Sequence, residues 1–492
     1  MAASAYDPDG PSPSTVSAVG TPASGVATVV SGKVRYTPFA GFVGTDRFTY
    51  TIQSAGKQSA SIIQITVVAA VDTRPKYPVA AQRVLKVPED YATVALAYAS
   101  AAAGDHISLA NGTYAETLNL NRTFPSANPV VIRARNTVGA VPGATIGGQI
   151  TVSGRGHWLH ELRTGFAGST RNNADVEISS NYVFVTRCWM TGREGVAVNA
   201  TAHHVWVGWN RFTGRNSPTG TDASGNPTTL NCFQFKINVP GSFPSQTSGP
   251  YDIYCYRNFF WDDTNHRQYS TETGGESMCC YIGNDHPGPA DLGTLLNVAF
   301  EENYLPAAAN GHSRPRSIYA KRGCSIVRNR STHAYGVFGQ RHGWGSKIYG
   351  NRVTDPDVVV IGDERAGSYA NGQDIRNNIV AGTMKLYRAS ETPSGAPYQA
   401  ADWTTLFQNQ GKLTVGYLPS NNNPVADDGG IVDHIRIYAH TGTVTINATH
   451  VDVASVTQST GNPLGLSEGA TIVPATFDGR DTGFESGDQG LS

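Results

Sequence analysis

Between Asn303 and Asn351 the chain reads GHSRPRSIYAKRGCSIVRNRSTHAYGVFGQRHGWGSKIYGN, a dense basic stretch in a protein whose formal net charge is only -1. Arg314 and Arg316 are two positions apart, so an extended strand places them on one face. Lys321 and Arg341 are 20 residues apart, close to one turn of a coiled repeat, which sets one above the other. Cations gathered in this way repel one another, so a compensating anion is expected, and a polyuronate or sulfated chain would supply it.

The elements that must position these side chains follow from an irregular repeat. Units of the form x-N-x-[FYLV] recur as WNRF, RNFF, ENYL, the looser RNRS, GNRV and NNIV, at Asn210, Asn258, Asn303, Asn329, Asn351 and Asn378, with gaps of 48, 45, 26, 22 and 27. If the first two gaps each span two turns, with VTRCWM around Cys188 as a rung without Asn, the period is 22 to 27, within the range of solenoid repeats. Asn side chains stacked at one corner can hydrogen-bond up and down a coil while apolar neighbours point inward. An antiparallel sandwich with loop asparagines leaves the spacing unexplained. The expected fold is all-β: a right-handed parallel β-helix over 85–492, preceded by a linker at 73–84 and a small N-terminal β-sandwich module at 1–72. The alanine-rich run at 89–103, ended by Gly104, predicts a helix that caps the first rung. Strands after about 390 are expected but carry no assigned role.

Composition agrees with short strands and many turns, since the chain has 54 Gly and only 4 Met. With 37 basic and 38 acidic residues, no general nucleic-acid or anionic-membrane binder is expected, and no apolar run approaches a membrane span. The six cysteines, Cys188, Cys232, Cys255, Cys279, Cys280 and Cys324, lack CxxC spacing and read as buried thiols rather than a zinc or redox site. The sequence does not set an oligomeric state.

Two resemblances sharpen these expectations. DPDG at 7–10 and YTPFAGFVGTDRFTYT at 36–51 resemble the cadherin-like, immunoglobulin-type repeats of bacterial and phage surface proteins. Only six residues precede the DPDG turn, so the module is expected to be truncated, with further chain or an export signal upstream and the protein secreted. Asp7 and Asp9 read as turn residues, with calcium ligation as the alternative.

The basic stretch is similar to the active-site rungs of polysaccharide lyase family 6, the group of chondroitinase B and many alginate lyases. SRPRSIYAKR carries Lys321, RHG is Arg341 to Gly343, GGESMCCYIG contains Glu276 and Tyr281, and GDHISLANGTY matches an N-terminal pattern of that family. The resemblance implies cleavage of a uronate-containing polysaccharide, alginate first, by β-elimination. Lys321 would take the C5 proton, Arg341 would serve the departing O4, and His342 would bind the sugar. Arg322 and Arg341 beside Lys321 should lower its pKa and make it a competent base. In calcium-dependent members a metal neutralises the uronate carboxylate, but the three ligand positions here are Thr273, Arg314 and Arg316. Two guanidinium groups do not hold calcium, so the expectation is no metal cofactor, with Arg314 and Arg316 pairing with the carboxylate instead.

Other residues offer further roles. Glu276 would orient the basic groups or act as a buried structural carboxylate. Tyr281 and Tyr335 would contact sugar or pack, and His312 and His333 flank the cluster. Asp262, Asp263, Glu301, Glu302, Asp355, Asp357, Asp363 and Glu364 show no acidic cluster at rung spacing, so a glycoside hydrolase pair stands as an alternative. The alternative of another class is a non-catalytic adhesin or phage-tail β-helix that only binds the polymer.

Overall fold

The computed structural model describes residues 15–39, 44–54, 57–67, 75–138, 141–166, 174–192, 194–213, 220–221, 227–228, 232–239, 250–260, 277–283, 294–305, 316–320, 323–331, 337–340, 346–353, 357–362, 373–388, 404–407, 409–415, 435–438, 440–446 and 457–459. From Arg83 onward the chain winds into a parallel β-helix. From Asp105 to Gly362 each full turn contributes one strand to each of three faces, and in the later turns a single strand, Ile379–Arg388 and then Gln410–Val415, runs through both the second and the third. The first face is a 14-stranded sheet running from Arg83–Val87 to Thr457–Ser459. The second consists largely of two-residue strands such as Tyr304–Leu305 and Arg330–Ser331. The third contains, in order, Val176–Ile178, Val196–Val198, Cys232–Ile237, Ser277–Ile282, Arg316–Ala320, Val337–Gln340 and Asp357–Gly362.

Alternation along each strand sends one set of side chains inward. On the first face the column Ile107, Ile132, Leu159, Val185, Val207, Cys255, Phe300, Ile326, Ile348, Ile375, Leu406 and Ile437 is buried in register. Cys188, Cys255, Cys280 and Cys324 are free thiols in this core, and burial pushes the Cys188 thiol up to about 12.

The corner between the first and second faces is built by the asparagines. Asn210, Asn258, Asn303, Asn329, Asn351, Asn378 and Asn409 are buried, and each Oδ1 accepts both the backbone N–H and, from Asn258 upward, the Nδ2–H of the Asn one rung earlier. Their Nδ2 groups also donate to a strand carbonyl, as Asn303 does to Cys255 at 2.9 Å. The preceding residue turns the chain with positive φ, from 50° to 56° at Glu161, Arg187, Trp209, Arg257, Glu302, Arg328 and Asn377. Cys188 holds the ladder position one rung before the asparagines, its backbone N–H donating to Asn210 at 2.8 Å.

Three expectations are corrected. The gaps of 48 and 45 residues are single turns, because Asn210 bonds Asn258 and Asn258 bonds Asn303 directly, and the strands His203–Gly208, Tyr251–Tyr256 and Thr294–Glu301 are neighbours. Within the 48-residue gap, Gly220–Thr221 and Pro227–Thr228 pair antiparallel, apart from the three faces. The capping helix spans only Val94–Ser100, because the Thr93 hydroxyl accepts from the Leu96 N–H and fixes the start there. The coil starts at Arg83, inside the expected linker, and the strands after 390 continue it to Ser459.

The rest of that expected linker is a strap on the first face. Tyr256 donates to the Pro75 carbonyl at 2.7 Å, Lys76 sits over the Trp209 ring, Tyr77 lies against His160 and Arg187, and Gln82 N–H donates to the Gly104 carbonyl. Ahead of it, Thr15–Val19, Gly44–Ser54 and Lys57–Val67 form one antiparallel sheet, and Gly25–Val30 pairs with Lys33–Pro38. The buried Asp46 ties them, accepting from the Ala23 and Ser24 N–H groups and the Tyr36 hydroxyl. Asp7 and Asp9 lie outside the described residues.

Candidate functional site

The third face carries the strands that lead into the basic residues. Its register runs Ile178, Val198, Ile237, Ile282, Ala320, Gln340 and Val360 across seven rungs. Lys321 and Arg341 are the next residues in sequence after the paired Ala320 and Gln340. Arg316 pairs with Met278, and Ser277 is the first strand residue after Glu276. Lys321, Arg322, Arg341, His342, Arg314, Glu276 and Thr273 lie outside the described residues, as do Tyr335, His312 and His333, while Arg316 is described in its backbone alone.

Tyr281 lies on the strand Ser277–Ile282 between the inward Cys280 and Ile282, so it points outward, yet it is only 1 % exposed. In the same outward column the preceding rung places Lys236, half-buried and paired in register with Tyr281. Lys236 was not singled out from the sequence. The alternation of CFQFKI, with Phe235 and Ile237 inward, would have placed it on the outer side one rung before GGE.

The exit from this face is lined by a short polar ladder. Asn199 Nδ2 donates to Ser179 Oγ and Asn238 Nδ2 donates to Asn199 Oδ1, both at 2.8 Å. The following rung has Gly283 at φ 121°, a conformation that leaves that position without a side chain. The spacing between third-face and first-face strands varies, with two residues separating Ala320 from Gly323 and six separating Gln340 from Lys347.

Of the carboxylates considered for hydrolysis, Glu302 sits at the asparagine corner, where it bridges Arg257 and Arg328 at 2.6 Å each. Asp175, buried at the start of the third face, accepts from Thr164 Oγ1 and the N–H groups of Gly192 and Phe166. Desolvation raises its pKa to about 7 against those hydrogen bonds. Among the described residues no group of three or more His, Cys, Asp and Glu side chains is placed to hold a metal ion. No described helix is long and apolar enough to cross a membrane.

Comparison with known proteins gives three findings. Residues 1–68 match the family model of the bacterial Ig domain. No curated protein matches the chain. Among solved structures, the chain is similar to a mannuronic acid specific polysaccharide family 6 lyase from human gut microbiota, at 15 % identity and TM-score 0.40, over 71 % of this chain and 79 % of that one. It is also similar to an alginate lyase from Paenibacillus sp. str. FPU-7, at 13 % identity and TM-score 0.28, over 74 % of this chain and 100 % of that one.

Proposed function

We propose that the chain is a polysaccharide lyase that cleaves a uronate-containing polymer, alginate first, by β-elimination. The observation that carries the proposal is the register of the third face: strands Arg316–Ala320 and Val337–Gln340 are adjacent, and the residues immediately before Lys321 and Arg341 are partners. Neighbouring strands lie about 4.8 Å apart, a separation at which a base and an acid can address the same glycosidic linkage.

In the proposed reaction, neutral Lys321 removes the proton from C5. The electron pair forms the C4–C5 double bond, the bond from C4 to O4 breaks, and Arg341 protonates or stabilises the departing oxygen. The C5 proton becomes acidic only when the adjacent carboxylate is neutralised. Arg314 and Arg316 would pair with that carboxylate through charge-assisted hydrogen bonds. Calcium, which does this in related lyases, does not fit the donor set here, because two guanidiniums and the Thr273 hydroxyl supply no carboxylate.

The test is ultraviolet absorbance on a panel of polyuronates, since elimination creates a conjugated unsaturated uronate and hydrolysis does not. A rise that disappears in both Lys321→Ala and Arg341→Ala, with fold and polymer binding retained, is the expected result. Binding with no absorbance change would instead make the protein a polysaccharide-binding β-helix.

A further inference from the structure

The corner where the third face turns into the first holds a cluster that the proposed chemistry leaves unused. Tyr182, His204 and Asp252 occupy equivalent positions on successive rungs with φ of 54°, 53° and 52°. The rings of Tyr182 and His204 stack at 4.7 Å, and those of His203 and Tyr251 at 4.6 Å and 6°. Beside them Trp206 stacks on Phe184 at 4.8 Å and 7°, in an outward column of the first face. Tyr182, His203, His204, Trp206 and Tyr251 are all partly exposed. A continuous aromatic band on the solvent side of a sheet is the kind of surface that marks a binding site.

The imidazoles are already committed. Asn181 Nδ2 donates to His203 Nε2 at 2.7 Å, which leaves the His203 proton on Nδ1 to be donated to His204 Nδ1, also at 2.7 Å. His204 Nε2 then faces Asp252 at 3.3 Å, and Asn297 donates to the same carboxylate at 2.8 Å. Among the described residues, nothing hydrogen-bonds the remaining polar groups of the band, the hydroxyls of Tyr182 and Tyr251 and the indole N–H of Trp206.

An independent observation points to an anion. The Arg155 guanidinium lies over the Tyr182 ring at 4.5 Å, and one terminal nitrogen donates to Ser126 Oγ at 3.2 Å. Its Nε is buried, and among the described residues it has no hydrogen-bond partner and no carboxylate pairs with the group. A half-buried guanidinium without a counterion is costly unless a ligand supplies one.

We propose that Arg155, Tyr182, His203, His204, Trp206 and Tyr251 form a remote subsite for carboxylated sugars of the same polymer, an inference that rests on the lyase reading. A pyranose presents a C–H face to an aromatic ring, hydroxyls to the phenols and the indole N–H, and a carboxylate to Arg155. The band lies on the corner that also connects Ala320 to Gly323. The strand His203–Gly208 is three strand spacings from Gly323–Val327, about 14 Å. A chain engaged at the proposed cleavage rung therefore needs only a few further sugars to reach it.

The experiment uses Lys321→Ala protein, which leaves the polymer uncut, and measures by calorimetry the affinity for oligomannuronates and oligoguluronates of increasing length. Affinity is expected to rise with chain length. Adding Arg155→Ala or Trp206→Ala should abolish that rise and weaken long chains about tenfold. Trp206→Phe should restore most of it, and Val138→Ser on a distant exposed strand should change nothing. Unchanged affinity for long chains in folded Arg155→Ala protein overturns the subsite, as does equal affinity for carboxyl-reduced chains. If Trp206→Ala does not fold, Arg155→Gln carries the same test. The lyase reading fails separately, through the absence of any absorbance rise with wild-type protein, and oligouronate binding still reads the subsite in that case. No binding of any oligouronate overturns it.

Discussion

At the scale of single residues, the proposed base and its neighbours make different demands on charge. Lys321→Arg keeps the cation but cannot be deprotonated, so it should lose turnover as fully as Lys321→Ala, about a hundredfold or more, with polymer affinity retained. A Lys321→Arg variant that still turned over would remove lysine from the role of base. Arg314→Ala and Arg316→Ala remove the proposed partners of the carboxylate and should each lower kcat/KM by about tenfold or more. Neither loss should be repaired by added calcium, and chelation should leave wild-type turnover unchanged. Activity abolished by a chelator and restored by calcium would sink the arginine proposal. The residue types of this site were legible because Arg314, Arg316, Lys321 and Arg341 form a conspicuous basic run in a neutral chain. Lys236 was not, because a lone lysine in CFQFKI gains meaning only once register places it beside Tyr281.

At the scale of elements, the asparagine corner is where stability is most concentrated. Asn303 accepts from the N–H and Nδ2 of Asn258 and donates to Asn329 and to the Cys255 carbonyl, all buried. Asn303→Leu strips these partners at once and should cost on the order of 3 to 5 kcal/mol in denaturant unfolding. A loss below about 1 kcal/mol would show that the ladder adds little to the coil. The ladder was readable from x-N-x-[FYLV], but the pattern misjudged the 48- and 45-residue gaps and missed Asn409, which Gln410 and Gly411 follow. Spacing alone cannot distinguish a rung without Asn from a rung with a long connection.

Beneath the capping helix, the Tyr98 hydroxyl, the His157 ring and the Gly154 carbonyl form a hydrogen-bonded chain, and burial holds the His157 pKa down to about 4. His160 is similarly pushed down to about 3, first by burial and then by Arg187 and Arg133. The unfolded chain binds these protons below about 6.5 while the folded chain resists them, so both groups make stability fall as pH drops from about 6.5 to about 4. The His157 share is on the order of 3 kcal/mol. His157→Gln, which keeps a donor and an acceptor, should flatten that part of the profile in thermal unfolding.

For the whole molecule, the segment ahead of the coil belongs to two bodies. Deleting 1–72 should leave turnover on short substrates and thermal stability of the β-helix largely unchanged. Deleting 1–82 should lower stability by on the order of 2 kcal/mol, because it uncovers Trp209 and His160 and removes the acceptor of the Tyr256 hydroxyl. Equal unfolding midpoints for the two truncations would show the strap to be passive. Nothing local in VDTRPKYPVAAQRV announces this role. Pro75 meets Tyr256, 181 positions away, and Tyr77 meets Arg187, 110 positions away.

The ladder also has a direction. Every Asn from Asn210 to Asn378 donates its backbone N–H and, with Nδ2 joining in at each step, points its amide toward the rung that follows it in the chain. The two ends of the ladder are therefore chemically unlike: a coil cut after any of these rungs presents two amide donors to solvent at its C-terminal edge, whereas the edge facing the helical cap presents acceptors.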